Sequence, residues 1–159
     1  MRVAYETFET ATSGWSATNA RTSCGSWGNI LGGYNTLGGN TTNTKTYSWT
    51  AFTHTQARVD LDYIKIDSWD GETASVLLAG TTVWSEQFCF CNHTCGDNGG
   101  TCGGSAMCGG SNWAEERKVA VSEIINHTSA SLAVGVKATL DQATNDESFG
   151  IDNVYVYIR

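Results

Sequence analysis

Apolar and polar residues alternate at every second position in several segments of the chain, and helical periodicity is almost absent. The clearest run is Leu132, Val134, Val136, Ala138 and Leu140, which predicts a half-buried strand over 131–140. The segment 149–158 is apolar on both parities, with Val154, Val156 and Ile158 on one and Ile151, Tyr155 and Tyr157 on the other. It predicts a central strand with one face in the core and the other under aromatic cover. Between 57 and 66 the parity switches from Val59, Leu61 and Tyr63 to Ile64 and Ile66, so a bulge is expected near Tyr63. Further strands are predicted over 3–10, 45–52, 73–79, 81–88 and 117–125, with a weaker one over 29–34, and Gly80 marks a tight hairpin. The pattern is that of an all-β protein: one antiparallel β-sandwich, or jelly roll, over residues 1–159.

Residues 89–112 break this rhythm. They hold Cys89, Cys91, Cys95, Cys102 and Cys108 and seven of the 18 glycines, with almost nothing apolar to bury. So much glycine is costly to order without cross-links, so the stretch reads as a disulfide-rich loop insertion on the sandwich. The sixth cysteine, Cys24, stands alone. Five is an odd number, so if all six pair, at least one member of the cluster must reach Cys24; the connectivity stays open among 15 possibilities. A zinc site is the competing reading, but the spacing C-x-C-x3-C-x6-C-x5-C lacks paired C-x2-C knuckles.

Composition adds the compartment. Three sequons, at Asn40, Asn92 and Asn126, beside an even cysteine count favour an oxidising, extracellular setting with glycosylation. Only 16% of the 159 residues are charged, against a typical value of about 25%, and proline is absent. A net charge of −7 without a basic run argues against nucleic acid, and no apolar stretch approaches the roughly 18 residues of a membrane span. Residues 1–15 show neither a basic n-region nor an apolar h-region, so the sequence reads as a mature chain or a domain of a longer secreted one.

The acidic residues gather at strand ends. Asp70 and Glu72 lie between two predicted strands, Asp146 precedes the last strand, and Asp152 lies inside it among apolar neighbours. A carboxylate there is expensive to bury unless it is paired or bound to a cation. Hard oxygen donors in a secreted protein point to calcium, so Asp70, Glu72, Asp146 and Asp152 are candidate Ca2+ ligands. For glycans, Trp27, Trp69 and Trp113 lie in or beside loops where a ring can stack on a sugar, whereas Tyr47 and Trp49 suit the core. No nucleophile-elbow, zinc-protease or phosphate-loop motif is present, and the carboxylate pairs Asp70/Glu72 and Asp146/Glu147 serve turns or ions more often than glycoside hydrolysis. The chain is expected not to be an enzyme.

The opening Phe8-Glu9 with Gly14-Trp15, the strand over 59–66, the hairpin from Gly71-Glu72 to Val83-Trp84, and the ending Gly150-Ile151-Asp152-Asn153-Val154 resemble the MAM domain, an extracellular jelly-roll adhesion module. The resemblance extends loosely to calcium-binding jelly-roll carbohydrate-binding modules. It implies a cation shared by Glu9 and Asp152 between first and last strands. It lacks the terminal cysteines of MAM domains, and the 89–112 insertion has no counterpart there. Together these features predict a secreted, non-catalytic, calcium-binding module of adhesion or extracellular assembly, partnering its own copies or other extracellular proteins. Carbohydrate binding is the alternative.

Overall fold

The computed structural model describes residues 1–12, 14–17, 20–50, 52–90, 94–95, 98–99, 107–110 and 116–159. Cys91, Cys102, Asn92 and Trp113 lie outside them. The strands are β1 (Arg2–Glu6), β2 (Arg21–Ser23), β3 (Asn29–Gly32), β4 (Asn43–Ser48), β5 (Gln56–Asp67), β6 (Asp70–Leu78), β7 (Thr81–Cys89), β8 (Thr94–Cys95), β9 (Asn98–Gly99), β10 (Arg117–Asn126), β11 (Ser131–Ala138) and β12 (Glu147–Ile158). They form two facing antiparallel sheets. One runs β10-β5-β12-β3-β2, with β1 also paired to β12; the other runs β4-β11-β6-β7. β8 and β9 form a small separate ribbon. Among the described residues no helix is long and apolar enough to cross a membrane.

Alternation builds the core between the sheets. On β6 the inward set is Glu72, Ala74, Val76 and Leu78; on β11 it includes Leu132, Val134, Val136 and Ala138. From the other sheet come Val59, Leu61 and Tyr63 of β5 and Phe149, Ile151, Val154 and Val156 of β12, all buried. Tyr63 and Phe149 stack with ring centroids 5.6 Å apart, and the Tyr63 hydroxyl donates to Lys137 O across the sandwich. The predicted hairpin at Gly80 is present: Ala79 and Gly80 both have positive φ, 50° and 80°, as a two-residue turn matched to strand twist requires.

The expected bulge at Tyr63 is not in β5, whose pairing with β10 runs unbroken from Gln56 to Lys65. Ile64 and Ile66 are buried because the opposite face of β5 is also covered. They form a second small cluster with Cys24 and Ile30, flanked by Trp27, Tyr34, Met107 and Cys108. The disulfide Cys24–Cys108 ties that cover down, and Cys89–Cys95 is the second described bridge. The Gly110 amide donates to both Asp67 oxygens at 3.0 and 2.9 Å, and the Gly109 amide donates to Glu116 at 2.7 Å. The parity change instead falls in β12, where pairing to β5 skips between Asp152 and Tyr155 and Asn153 takes φ 51°. Ile151 therefore faces the same core as Val154.

Candidate functional site

That skip turns the second half of β12 over. Beyond it, Val154, Val156 and Ile158 point into the core, while Tyr155 and Tyr157 stand on the outer face. β1 pairs with this half and brings Tyr5 opposite Tyr155 and Arg2 opposite Tyr157. The result is a row of three tyrosines. Tyr5 and Tyr155 have centroids 6.4 Å apart with planes 15° from parallel, and Tyr155 and Tyr157 are 6.5 Å apart. Arg2 lies over Tyr5 at 4.7 Å, and Arg58 lies over Tyr157 at 4.3 Å. Beside the row, Arg58 pairs with Asp60 at 3.2 Å, Ser122 donates to Asp60, and the Asn153 amide donates to Asp62 at 2.9 Å.

This face is also where exposed apolar surface collects. Among the described residues the exposed large hydrophobics are Met1, Tyr5, Phe52 and Ile124. Tyr5 belongs to the row, and Met1 and Ile124 line a shallow recess with Arg58 and Tyr157. Apolar patches rimmed by polar groups mark interaction surfaces. The sequence signal was present in the both-parity pattern of β12, but Tyr155 and Tyr157 read as covered residues because nothing local shows which strand lies beside them.

Of the tryptophans expected to meet a ligand, Trp69 is placed differently, and Trp113 lies outside the described residues. Trp69 is 0% exposed: its indole N–H donates to Ser148 O at 2.9 Å and its ring meets Phe88 edge-on. It is a core residue, because the short link between β5 and β6 dips under the end of the sandwich. Trp27 is half-buried with Lys118 over its ring at 5.2 Å. Tyr47 is buried as expected, its hydroxyl donating to Glu6. Trp49 sits against His54 and His127, whose ring nitrogens lie 3.1 Å apart. Asn40 and Asn126 are exposed.

The candidate metal ligands separate into two places. Glu9 accepts from the Asn29 backbone and side-chain amides, and Asp152 accepts from both amides of Asn153. Burial first, then Asp62 and Glu9, push the Asp152 carboxyl up to about 6. Each of these carboxylates is thus turned to the chain's own donors, and the two do not join a third within ligand distance among the described residues. Asp70 and Glu72 do converge, and their third member is Glu147: one oxygen from each lies within 4.8 Å of the others. Asp146, expected there, instead accepts from the Ser68 hydroxyl at 2.6 Å. Glu147 follows the parity of Phe149 and Ile151, which turns it inward, whereas Asp146 precedes the strand.

The fold that carries these features is a two-sheet antiparallel jelly roll. No protein-family model matches the sequence, and no curated protein matches it. Among solved structures the chain is similar to the CBM22-1 xylan-binding domain from Paenibacillus barcinonensis Xyn10C, with a TM-score of 0.50 and 13% identity over 99% of this chain and 94% of that one. It is also similar to the Clostridium thermocellum xylanase 10B CBM22-1-GH10 modules complexed with xylohexaose, with a TM-score of 0.57 and 9% identity over 99% of this chain and 28% of that one. Dimeric latent PorU from Porphyromonas gingivalis gives 0.51 and 12% identity over 98% and 12%. At such identities the likeness is one of fold, and in the last two structures it concerns one module of a much longer chain.

Proposed function

We propose that the chain is an extracellular, non-catalytic carbohydrate-binding module whose ligand lies along Tyr5, Tyr155 and Tyr157. The observation that carries this reading is the tyrosine row, three rings with centroids 6.4 and 6.5 Å apart on the face that also exposes Met1 and Ile124. Asp60, Asp62, Asn153 and Ser122 supply the hydrogen-bonding groups that a sugar hydroxyl needs beside such a ring. Two described disulfides, exposed sequons and the fold shared with a xylan-binding domain support the extracellular, glycan-directed part. The fold shared with a xylan-binding domain supports this reading better than the adhesion or assembly role expected first.

Affinity electrophoresis and calorimetry against xylan, mixed-linkage glucan, laminarin and cellulose test it. At least one polysaccharide is expected to retard the wild type, and Tyr155→Ala with Tyr157→Ala is expected to weaken that binding at least tenfold without lowering the melting temperature by more than a few degrees. Retention unchanged in the double variant would overturn the assignment of the face.

A further inference from the structure

Two glutamates occupy core-facing positions of opposed sheets at one end of the sandwich. Glu72 follows the inward parity of Ala74, Val76 and Leu78, and Glu147 that of Phe149 and Ile151. Glu147 is 0% exposed and Glu72 is 8% exposed, while Asp70 at the edge is open to solvent. In each glutamate one oxygen serves the chain. Glu72 Oε2 accepts from the Asp70 and Gly71 amides at 2.6 and 3.2 Å, and Glu147 Oε2 accepts from the Gln142 amide at 3.2 Å. Glu147 Oε1 is different: it is buried and has no hydrogen-bond partner among the described residues. A buried carboxylate oxygen facing two further carboxylates, with nothing to accept from, is among the most costly arrangements in a protein interior.

We propose that Asp70, Glu72 and Glu147 bind a calcium ion that joins the start of β6 in one sheet to the start of β12 in the other. The donors are all hard oxygens, which select calcium or magnesium over softer metals. Three carboxylates from the protein favour calcium, since magnesium keeps several waters and is usually bound through only one or two; one oxygen from each lies within 4.8 Å of the others. The described ion pairs fall on Glu6, Asp60, Glu86 and Asp62, so the cluster is not drawn into them. Backbone carbonyls and water complete the six to eight oxygens that calcium takes. The site does not depend on what the tyrosine face binds.

The full chain, stripped with chelator and exchanged into metal-free buffer, tests this with the ion alone. Calcium is expected to bind with a dissociation constant of about 10⁻³ M or tighter and to raise the melting temperature by several degrees, with magnesium weaker. Terbium should give luminescence sensitised by Trp69, the neighbour of Asp70, that calcium competes away. Glu147→Gln should weaken calcium binding at least tenfold yet leave the chelated protein at least as stable as the chelated wild type. Asp70→Asn, at an exposed position that the fold does not need, should weaken it at least threefold. No heat and no melting shift in the wild type at about ten times the weakest affinity expected would overturn the proposal. So would full calcium binding by both variants, or binding abolished only by Glu9→Gln or Asp152→Asn.

Discussion

The two ends of β12 are built for opposite purposes. At its start Glu147 turns inward between the sheets beside Glu72, and Trp69 closes the same end as a core residue. Roughly 30 Å along the strand, Tyr155 and Tyr157 face outward, and Tyr5 and Arg2 join them from β1. Even the neighbour differs: β3 pairs with the first half of β12 through Gly150 and Ile151, and β1 with the second half. The skip at Asp152–Asn153 divides the two, because a single parity change moves the polar positions of one half into the core set and the aromatic positions of the other onto the surface. The difference teaches that a residue's type does not set its role here. The tryptophan at one end supports the fold, and the smaller tyrosines at the other stand on the outer face.

The largest effect expected from this contrast is at the closed end. Trp69→Ala removes a fully buried ring and the N–H bond to Ser148 O, and should cost about 3–5 kcal/mol, the range for truncating a core aromatic. Tyr155→Ala removes ring contacts worth about 0.5–1.5 kcal/mol each and should cost far less stability while weakening the proposed glycan binding. Chemical denaturation of the two variants side by side measures this. Equal losses of stability would erase the distinction between the ends.

The ends should also differ in their response to pH. Asp67, at the closed end, is buried, and burial, opposed by the Gly110 amide, sets its carboxyl at about 6. An unfolded aspartate titrates near 3.9. Between those values the folded chain holds a proton that the unfolded chain releases, so its share of stability is present below about pH 4 and is lost as pH rises through 6. In chelator, the wild type should therefore melt a few degrees higher at pH 5 than at pH 8, and Asp67→Asn should flatten part of that slope. Asp67 lies apart from the tyrosine row, so Asp67→Asn should leave glycan affinity within twofold. A slope untouched by Asp67→Asn would place the pH response elsewhere.

Much of the fold could be read directly from alternation. Each segment with apolar residues at every second position is a strand, and Gly80 marks its hairpin, because both depend on neighbours close in sequence. If all six cysteines pair, the odd count of the cluster requires a bridge to Cys24, and Cys108 supplies one; which of the five would do so depended on how the loop lies over Ile64 and Ile66. The bulge was misplaced for a related reason. Two buried parities on β5 look like a bulge in sequence, whereas they reflect a second cover held by that bridge. Glu147 carried a signal in its parity with Phe149 and Ile151, but adjacent Asp146 offered the same chemistry, and only the facing position of Glu72 decides between them. Tyr5 and Tyr155 meet across 150 positions of sequence, which no local pattern encodes.

The smallest expected change tests whether the ends act separately. Ala79 holds φ 50° in the β6–β7 turn, at the opposite end of β6 from Asp70 and Glu72. A left-handed conformation costs a non-glycine residue roughly 1 kcal/mol or more, and asparagine tolerates it better than alanine. With Gly80 following, Ala79→Asn completes the Asn-Gly pair that two-residue hairpins favour. Stability should rise by about 0.5–1 kcal/mol, seen as an increase of a few degrees or less in melting temperature. The turn touches neither the carboxylates nor the tyrosines, so calcium and polysaccharide affinities should both stay within twofold. A change in either would mean that strain at one end of β6 is felt along the strand, and the separation of the two ends would then be one of position only.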